Sequence, residues 1–162
     1  MPLWALTLAF WLHMAATVVW IGGLFFQALV LPPALRRLPE RGQVLEALAR
    51  RFQPLAWLSL AVLVGTGLTQ MAANPNYTGV LAFGNAWSRA ILAKHLAVGL
   101  MVAVGVYQTW VVQPALVRMA ILEARTPQAD HGPLLRRQDR LGRLNLALGI
   151  AVLAFTAIAR TV

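Results

Sequence analysis

The sequence predicts an all-α integral membrane protein that folds as a single four-helix domain over residues 1–162, and two observations support this. Of the 162 residues, 59% are hydrophobic and only 12% are charged, whereas a soluble domain is roughly 45–50% apolar and about 25% charged. Crossing a bilayer as a helix takes about 20 apolar residues. Four apolar runs have that character: Leu3–Leu31, Phe52–Ala73, Trp87–Val112 and Leu144–Ala159. The lipid bilayer is therefore the expected environment.

The ends of the four helices are predicted from prolines and charges. Pro32–Pro33 should stop the first helix, and Pro114 should stop or kink the third. The fourth run is short, so we expect residues Leu134–Arg143 to extend it as a helical stem. The first run has no positively charged stretch before it and is too long for the apolar part of a signal peptide. We therefore expect this helix to be retained.

The basic residues predict how the bundle is oriented. Eleven of the 14 basic residues and all five acidic residues fall between spans 1 and 2 or between spans 3 and 4, while Asn74–Ala86 has no charge. The positive-inside rule then places both Arg-rich segments in the cytoplasm and both termini outside, in a bacterial-type inner (plasma) membrane. The net charge of +9 is explained by contact with anionic lipid, so no nucleic-acid partner is expected.

The two halves of the chain resemble each other near the ends of spans 1 and 3. Residues 26–37 and 107–118 share an aromatic residue followed by Gln, an apolar run, and then Pro-Ala-Leu, at an offset of 81. This predicts a duplicated helical hairpin with a pseudo-twofold axis along the membrane normal. With short connections it also predicts an up-down-up-down bundle in which spans 1 and 3 lie on a diagonal.

Two histidines within the spans, His13 and His95, are the main candidate functional residues, because an ionisable side chain in hydrocarbon is costly. With the outer hydrocarbon boundary placed near Leu6 and Ala90, both lie roughly 8–10 Å deep at about 1.5 Å per residue. On diagonal helices this matched depth suits a b-type haem held by two axial imidazoles in the outer half of the bundle. The remaining basic residues, Arg89, Lys94 and Arg160, are candidate partners for its propionates.

Other observations keep the alternatives open. The offset of 81 pairs His13 with Lys94 rather than His95, and one residue rotates a helical side chain by about 100°. Cuprous ion prefers soft ligands. The chain has no cysteine, so a copper site would combine His13, His95 and Met71. A cofactor-free structural or assembly subunit is the third interpretation.

The sequence gives little support for an enzyme. No cysteine nucleophile exists, and the spans contain no Asp or Glu for a proton relay. If the protein is an enzyme, we expect a membrane haem-dependent oxidoreductase. Its expected function is otherwise electron transfer, with a quinone or an outer-side redox protein as candidate partner and a homo-oligomer as a candidate assembly.

The chain resembles a family through several short motifs. His13, Trp20-Ile21-Gly22-Gly23, Gly65-Thr66-Gly67-Leu68, Lys94-His95 and Asn145 look like the CopD-type copper resistance membrane domain. That resemblance implies a four-helix inner-membrane module linked to copper uptake or resistance. A weaker similarity, carried by His13, Trp20, Leu24, Phe25 and Lys94, is to HemJ-type protoporphyrinogen oxidases, which implies an association with haem.

Overall fold

The structure is a computed structural model that describes residues 2–35, 41–77, 79, 83–123 and 132–161. In these ranges four helices are long and apolar enough to cross a membrane: Leu3–Leu35, Gln43–Ala72, Ala86–Arg118 and Gly132–Thr161. The predicted all-α class with four membrane-spanning helices is therefore confirmed, and these helices are called spans 1 to 4. The up-and-down order and the side of the membrane that each terminus faces stay predictions.

Spans 1 and 3 are built alike, each from two α-helices joined by one π-helical turn. Span 1 consists of α1 (Leu3–Phe25), the π-turn Phe26–Val30 and α2 (Leu31–Leu35). Span 3 consists of α4 (Ala86–Tyr107), the π-turn Gln108–Val112 and α5 (Gln113–Glu123). Span 2 lies within α3 (Arg41–Ala72), and span 4 is α6 (Gly132–Thr161).

The predicted stop at Pro32–Pro33 is wrong, and the third helix also continues past Pro114, where a kink was the predicted alternative to a stop. The helix continues past Pro32–Pro33 to Leu35, and past Pro114 to Glu123. Inside an α-helix, proline lacks the N–H that would bond to the carbonyl four residues earlier, and its ring clashes with that carbonyl. A π-turn changes the bonding to i→i+5 and inserts one residue. Each turn ends two residues before a proline, so the local register accommodates the ring.

Span 2 starts earlier than the apolar run predicted, because α3 begins at Arg41 rather than Phe52. The added turns are polar and carry an (i, i+4) ion pair, in which Arg50 Nη2 lies 2.8 Å from Glu46 Oε1. The polar stem predicted for span 4 is confirmed, since α6 is continuous from Gly132. Arg36, Arg37, Arg125 and His131 fall outside the described residues.

The helices pack as two hairpins that contact each other. The most extensive contacts join α1 with α3 and α4 with α6, and smaller contacts join α1 with α6 and α3 with α5. Span 1 therefore neighbours spans 2 and 4, while span 3 neighbours spans 4 and 2. Gly149 on α6 allows a close approach, because a Cβ there would lie 2.9 Å from Ile21 Cδ1 and 3.4 Å from Met101 Cε.

The outside of the bundle is apolar over much of its surface. Trp4, Trp11, Val18 and Trp110 are between 60% and 73% exposed, although they lie within the helical spans. In water such a surface would drive association, but in a bilayer these side chains face lipid while the backbone is satisfied within each helix. The lipid-facing surface leaves the interior as the place for polar chemistry.

Candidate functional site

A large cavity in the described part of the bundle contains both membrane histidines. It has a volume of about 610 Å³ and is called the histidine cavity; all four spans contribute to its lining. Pockets for small molecules and cofactors usually measure roughly 300–1,000 Å³, so this volume suits a ligand larger than a bare ion. Its lining includes His13, Met71, Trp87, Lys94, His95 and Arg160.

His13 is positioned by a hydroxyl group on the neighbouring helix α3. Its Nδ1 lies 2.8 Å from Thr66 Oγ1, and that hydroxyl donates its proton to the backbone carbonyl of Val62 at 2.6 Å. Because the hydroxyl has only one proton, Nδ1–H of His13 is the donor and Thr66 accepts. Nε2 then keeps its lone pair, the tautomer that a metal-binding histidine uses when Nδ1 is held by an outer partner.

His95 adopts the same tautomer through a different partner. Its Nδ1 lies 2.7 Å from the backbone carbonyl of Ile91, one turn earlier on its own helix. A carbonyl only accepts, so Nδ1 carries the proton and Nε2 has the free lone pair. The two rings differ in surroundings, since His13 is half-buried against α3 whereas His95 is exposed. Both nevertheless line the one cavity.

The π-turns of the two halves begin at Phe26 and Gln108, 82 positions apart, whereas the sequence motif aligned at 81. A shift of 82 pairs His13 with His95, and a shift of 81 pairs it with Lys94. Because both His95 and Lys94 line the histidine cavity, the pairing of His13 stays a prediction. Duplication of a hairpin itself stays a prediction.

Two of the three predicted propionate partners line the cavity. Lys94 and Arg160 belong to its wall, and the Arg160 guanidinium lies 5.2 Å from the centre of the Phe10 ring. Arg89 is exposed and is not part of the lining. The described lining contains no carboxylate, so both cations act on the cavity without an acidic neighbour there. This charge distribution favours an anionic ligand.

The candidate copper ligand Met71 also belongs to the cavity. Its side chain is only 8% exposed, and Met14, next to His13, lines the same space. Within the described residues, no three His, Cys, Asp or Glu side chains form a group that could hold a metal ion. A bare ion would therefore depend on two imidazoles and thioether sulfur. This donor set suits cuprous ion better than cupric ion.

Thr66 was not predicted as part of the site from the sequence. A Cβ on Gly67 would lie 3.5 Å from His13 Cε1, so the imidazole rests beside this glycine one residue after its hydrogen-bond partner. The signal was present in Gly65-Thr66-Gly67, where the two glycines suggest room for a flat ring and the hydroxyl between them offers it a partner. A hydroxyl between two glycines on a neighbouring span marks room for a ring and a partner for it.

A second, smaller cavity lies further along the bundle and was also missed. It has a volume of about 100 Å³ and is called the glutamine cavity, since amide side chains from all four spans line it. They are Gln27, Gln53, Gln108, Gln113, Gln138 and Asn145. Trp20 and Leu60 line both cavities. The two cavities therefore adjoin at these two side chains.

Comparison with known proteins gives one match. A family model described as copper resistance protein D matches residues 46–159, which is more than half of the chain. The matched part contains Thr66, Lys94 and His95 but begins after span 1, so His13 and the Trp20 motif lie outside it. The similarity to HemJ-type proteins has no support from these comparisons. No curated protein and no solved structure matches the chain.

Proposed function

The chain belongs to the copper resistance protein D family, and from this premise we propose that its histidine cavity is a metal centre for membrane electron transfer. The proposed metal is the iron of a b-type haem, which Nε2 of His13 and Nε2 of His95 would hold. One observation supports this most strongly: in both rings Nδ1 is occupied as a donor, which leaves two free Nε2 atoms in one cavity.

The donor set and the volume fit haem better than a bare ion. A porphyrin supplies four nitrogen ligands of its own, so two histidines complete the coordination of the iron. This removes the need for a third His or a carboxylate, which the described residues do not provide. A cavity of about 610 Å³ also offers space for a macrocycle that a single ion does not require.

The charges in the cavity wall point to the same ligand. Haem carries two propionates, and Lys94 and Arg160 supply two positive charges in a lining with no described carboxylate. Charge-assisted hydrogen bonds from such cations to carboxylates are stronger than neutral ones. Placing a bare cation beside the same two groups would instead cost repulsion.

When bound, the haem iron would supply one-electron chemistry. The chain's own residues would bind it and orient it: Thr66 fixes the tautomer and plane of the His13 ring, and Ile91 does so for His95. Buried Trp87 and Met71 help to exclude water from the cavity. A quinone or a redox protein on the same side of the membrane as the cavity is the proposed electron partner.

A copper ion is the second candidate, and the family match is the observation that favours it. Its ligands would be His13, His95 and Met71, all of which line the cavity. Imidazole and thioether donors suit cuprous ion. The two cations in the wall count against it, because no described acidic side chain compensates for the added charge.

The absorption spectrum of the purified protein tests the proposal. After expression with ample haem, we expect a Soret band that shifts on reduction, with iron and haem in equal amounts. Stoichiometric copper without a Soret band would replace haem by the second candidate. A colourless protein that takes up neither haem nor copper would overturn both, and would leave the cofactor-free subunit as the interpretation.

Removing the two cations in the wall should change the binding affinity in opposite directions for haem and for copper. The double change Lys94→Gln and Arg160→Gln should weaken haem binding by roughly twofold to thirtyfold, since charge pairs of the exposed kind contribute about 0.2–1 kcal/mol each. The same change should strengthen the binding of a copper ion, because repulsion is removed. Arg89→Gln is the matched control: its side chain is exposed outside the cavity, and it should change neither affinity.

A further inference from the structure

Two amide oxygens in the glutamine cavity have no partner. Asn145 Oδ1 and Gln138 Oε1 are buried and accept no hydrogen bond, and the Asn145 side chain is only 5% exposed. A buried acceptor without a donor is costly, and in a membrane no lipid tail can supply one. An occupant that donates hydrogen bonds to these two oxygens would therefore stabilise the cavity.

The chemistry of the wall restricts this occupant further. Amide oxygens are hard ligands that suit neither cuprous ion nor a macrocycle. The described lining has no charged residue, so nothing in it neutralises a free ion. A buried water needs roughly 10–15 Å³ and two to four polar partners. The cavity, at about 100 Å³ with six amide side chains, satisfies both conditions for several waters.

Both π-turns supply residues to this cavity. Gln27 comes from the first turn, and Gln108 and Thr109 come from the second. Gln53 on α3 donates to Thr109 Oγ1 at 2.7 Å, which links spans 2 and 3 across the space. Single π-turns inside α-helices occur frequently at functional sites. Here the local change in register serves to turn polar side chains inward at the same level in both hairpins.

One end of the cavity lies among the arginines. Ala49 and Gln138 line it, and their chain neighbours Arg50 and Arg137 are exposed. The other end stops at Trp20 and Leu60, which also face the histidine cavity. We infer that the glutamine cavity is a water-filled vestibule, open towards the Arg-rich end and closed from the histidine cavity by the Trp20–Leu60 partition.

This vestibule gives the bundle a route from its Arg-rich end to the histidine cavity. Water in the vestibule shortens the dry part of the path to the thickness of two side chains. A proton or a hydrated solute that enters from the Arg-rich end would meet only that partition before the histidine cavity. The inference holds whether the histidine cavity binds haem, copper or neither.

The absence of cysteine from the chain allows a direct test in sealed vesicles with a membrane-impermeant methanethiosulfonate reagent. Such reagents need a thiolate, which forms in water and not in hydrocarbon. Thr109→Cys places the thiol in the vestibule, and Trp110→Cys is its neighbour on the lipid face, where Trp110 is 73% exposed. Arg118→Cys, at an exposed position on α5, reports the Arg-rich side.

We expect Thr109→Cys to react from the same side as Arg118→Cys, and at least tenfold faster than Trp110→Cys. Equal rates for the two neighbours, or reaction of Thr109→Cys from the opposite side, would overturn the vestibule. Should Thr109→Cys fail to fold, Val102→Cys lines the same cavity and provides the same readout. No metal is needed, so failure here is distinct from failure of the proposed metal centre.

The partition is tested with a thiol in the histidine cavity. Leu63 lines that cavity but not the vestibule, so Leu63→Cys should not react from the Arg118 side. Adding Trp20→Ala should open that access and raise the rate from the Arg118 side at least tenfold. An unchanged rate in a folded double variant would show that Trp20 does not separate the two spaces.

Discussion

The two cavities of the bundle are enclosed by the same four spans but differ in size and chemistry. The histidine cavity measures about 610 Å³ and contains two imidazoles with two cations in its wall, whereas the glutamine cavity measures about 100 Å³ and is lined by uncharged amides. Unbalanced positive charge favours an anionic ligand, and unpaired amide oxygens favour a donor such as water. One helical framework thus offers two sites with different occupants.

The difference arises from where polar residues fall along each span. In the histidine cavity, each imidazole is held by one hydrogen-bond partner: His13 by Thr66 and His95 by the backbone carbonyl of Ile91. At the level of the π-turns, polar side chains from all four spans meet. The polar groups of the bundle are therefore gathered at two depths, with Trp20 and Leu60 between them.

The largest expected effect is loss of the metal when a histidine is removed. His13→Ala should abolish the Soret band, because His13 is the better held of the two rings, through Thr66 on another helix. His95→Ala should alter the spectrum and lower haem content less severely, since exposed His95 is held only by its own helix. Both effects are measured from the absorption spectra and haem content of the two purified variants.

Asn145→Leu is the control for both histidine changes. It alters the glutamine cavity alone, so haem content should stay at the level of the unchanged protein. Loss of haem in Asn145→Leu, at unchanged folding, would contradict the separation of the two cavities. A His13→Ala variant with a full Soret band would remove His13 from the ligand set.

A packing effect of intermediate size should be confined to the glutamine cavity. A Cβ on Gly23 would overlap the Phe52 ring, which lines that cavity, whereas a Cβ on Gly105 meets nothing within 4 Å. Gly23→Ala should therefore cost about 1–3 kcal/mol through overpacking. Gly105→Ala, its counterpart at a shift of 82, should be neutral or stabilise the helix by up to about 1 kcal/mol.

Thermal unfolding in detergent measures both glycine changes. The Gly23→Ala protein should lose stability but keep its metal, since neither Gly23 nor Phe52 lines the histidine cavity. Equal unfolding temperatures for the two variants would show that Phe52 moves aside freely. In that case the close contact between Gly23 and Phe52 would not contribute to the stability of the bundle.

The smallest expected effect comes from the hydroxyl behind His13. Thr66→Val keeps the shape of the side chain but removes the acceptor for Nδ1–H, and loss of such an outer partner typically weakens metal binding by about 10–100-fold. We expect the lower end of this range, because Val retains the packing against the ring. Titration of the metal-free protein with haem measures the change.

Thr69→Val is the matched change for Thr66→Val. Thr69 lies on the same helix and donates to its own backbone, to Gly65 O at 2.9 Å, without contacting a histidine. Its haem affinity should equal that of the unchanged protein. Equal affinities for both variants would mean that Thr66 does not position His13.

The sequence predicted much of this organisation from residue types and spacing. It identified the four spans, both histidines, and the cations Lys94 and Arg160, because burial of charge in an apolar run is visible in one dimension. It did not place the end of span 1, because a π-turn adds a residue to the helical turn before Pro32–Pro33. No side chain in Phe26–Val30 marks that addition.

By itself, the sequence determined that the chain has four apolar helices with two titratable rings at similar depth, since hydropathy and length depend only on composition and order. Only the tertiary structure decided what those rings and the amides contact. Thr66 fixes the tautomer of His13, both histidines line one cavity, and Asn145 Oδ1 stays unpaired. These are properties of distances between helices, which the order of residues along one chain does not contain.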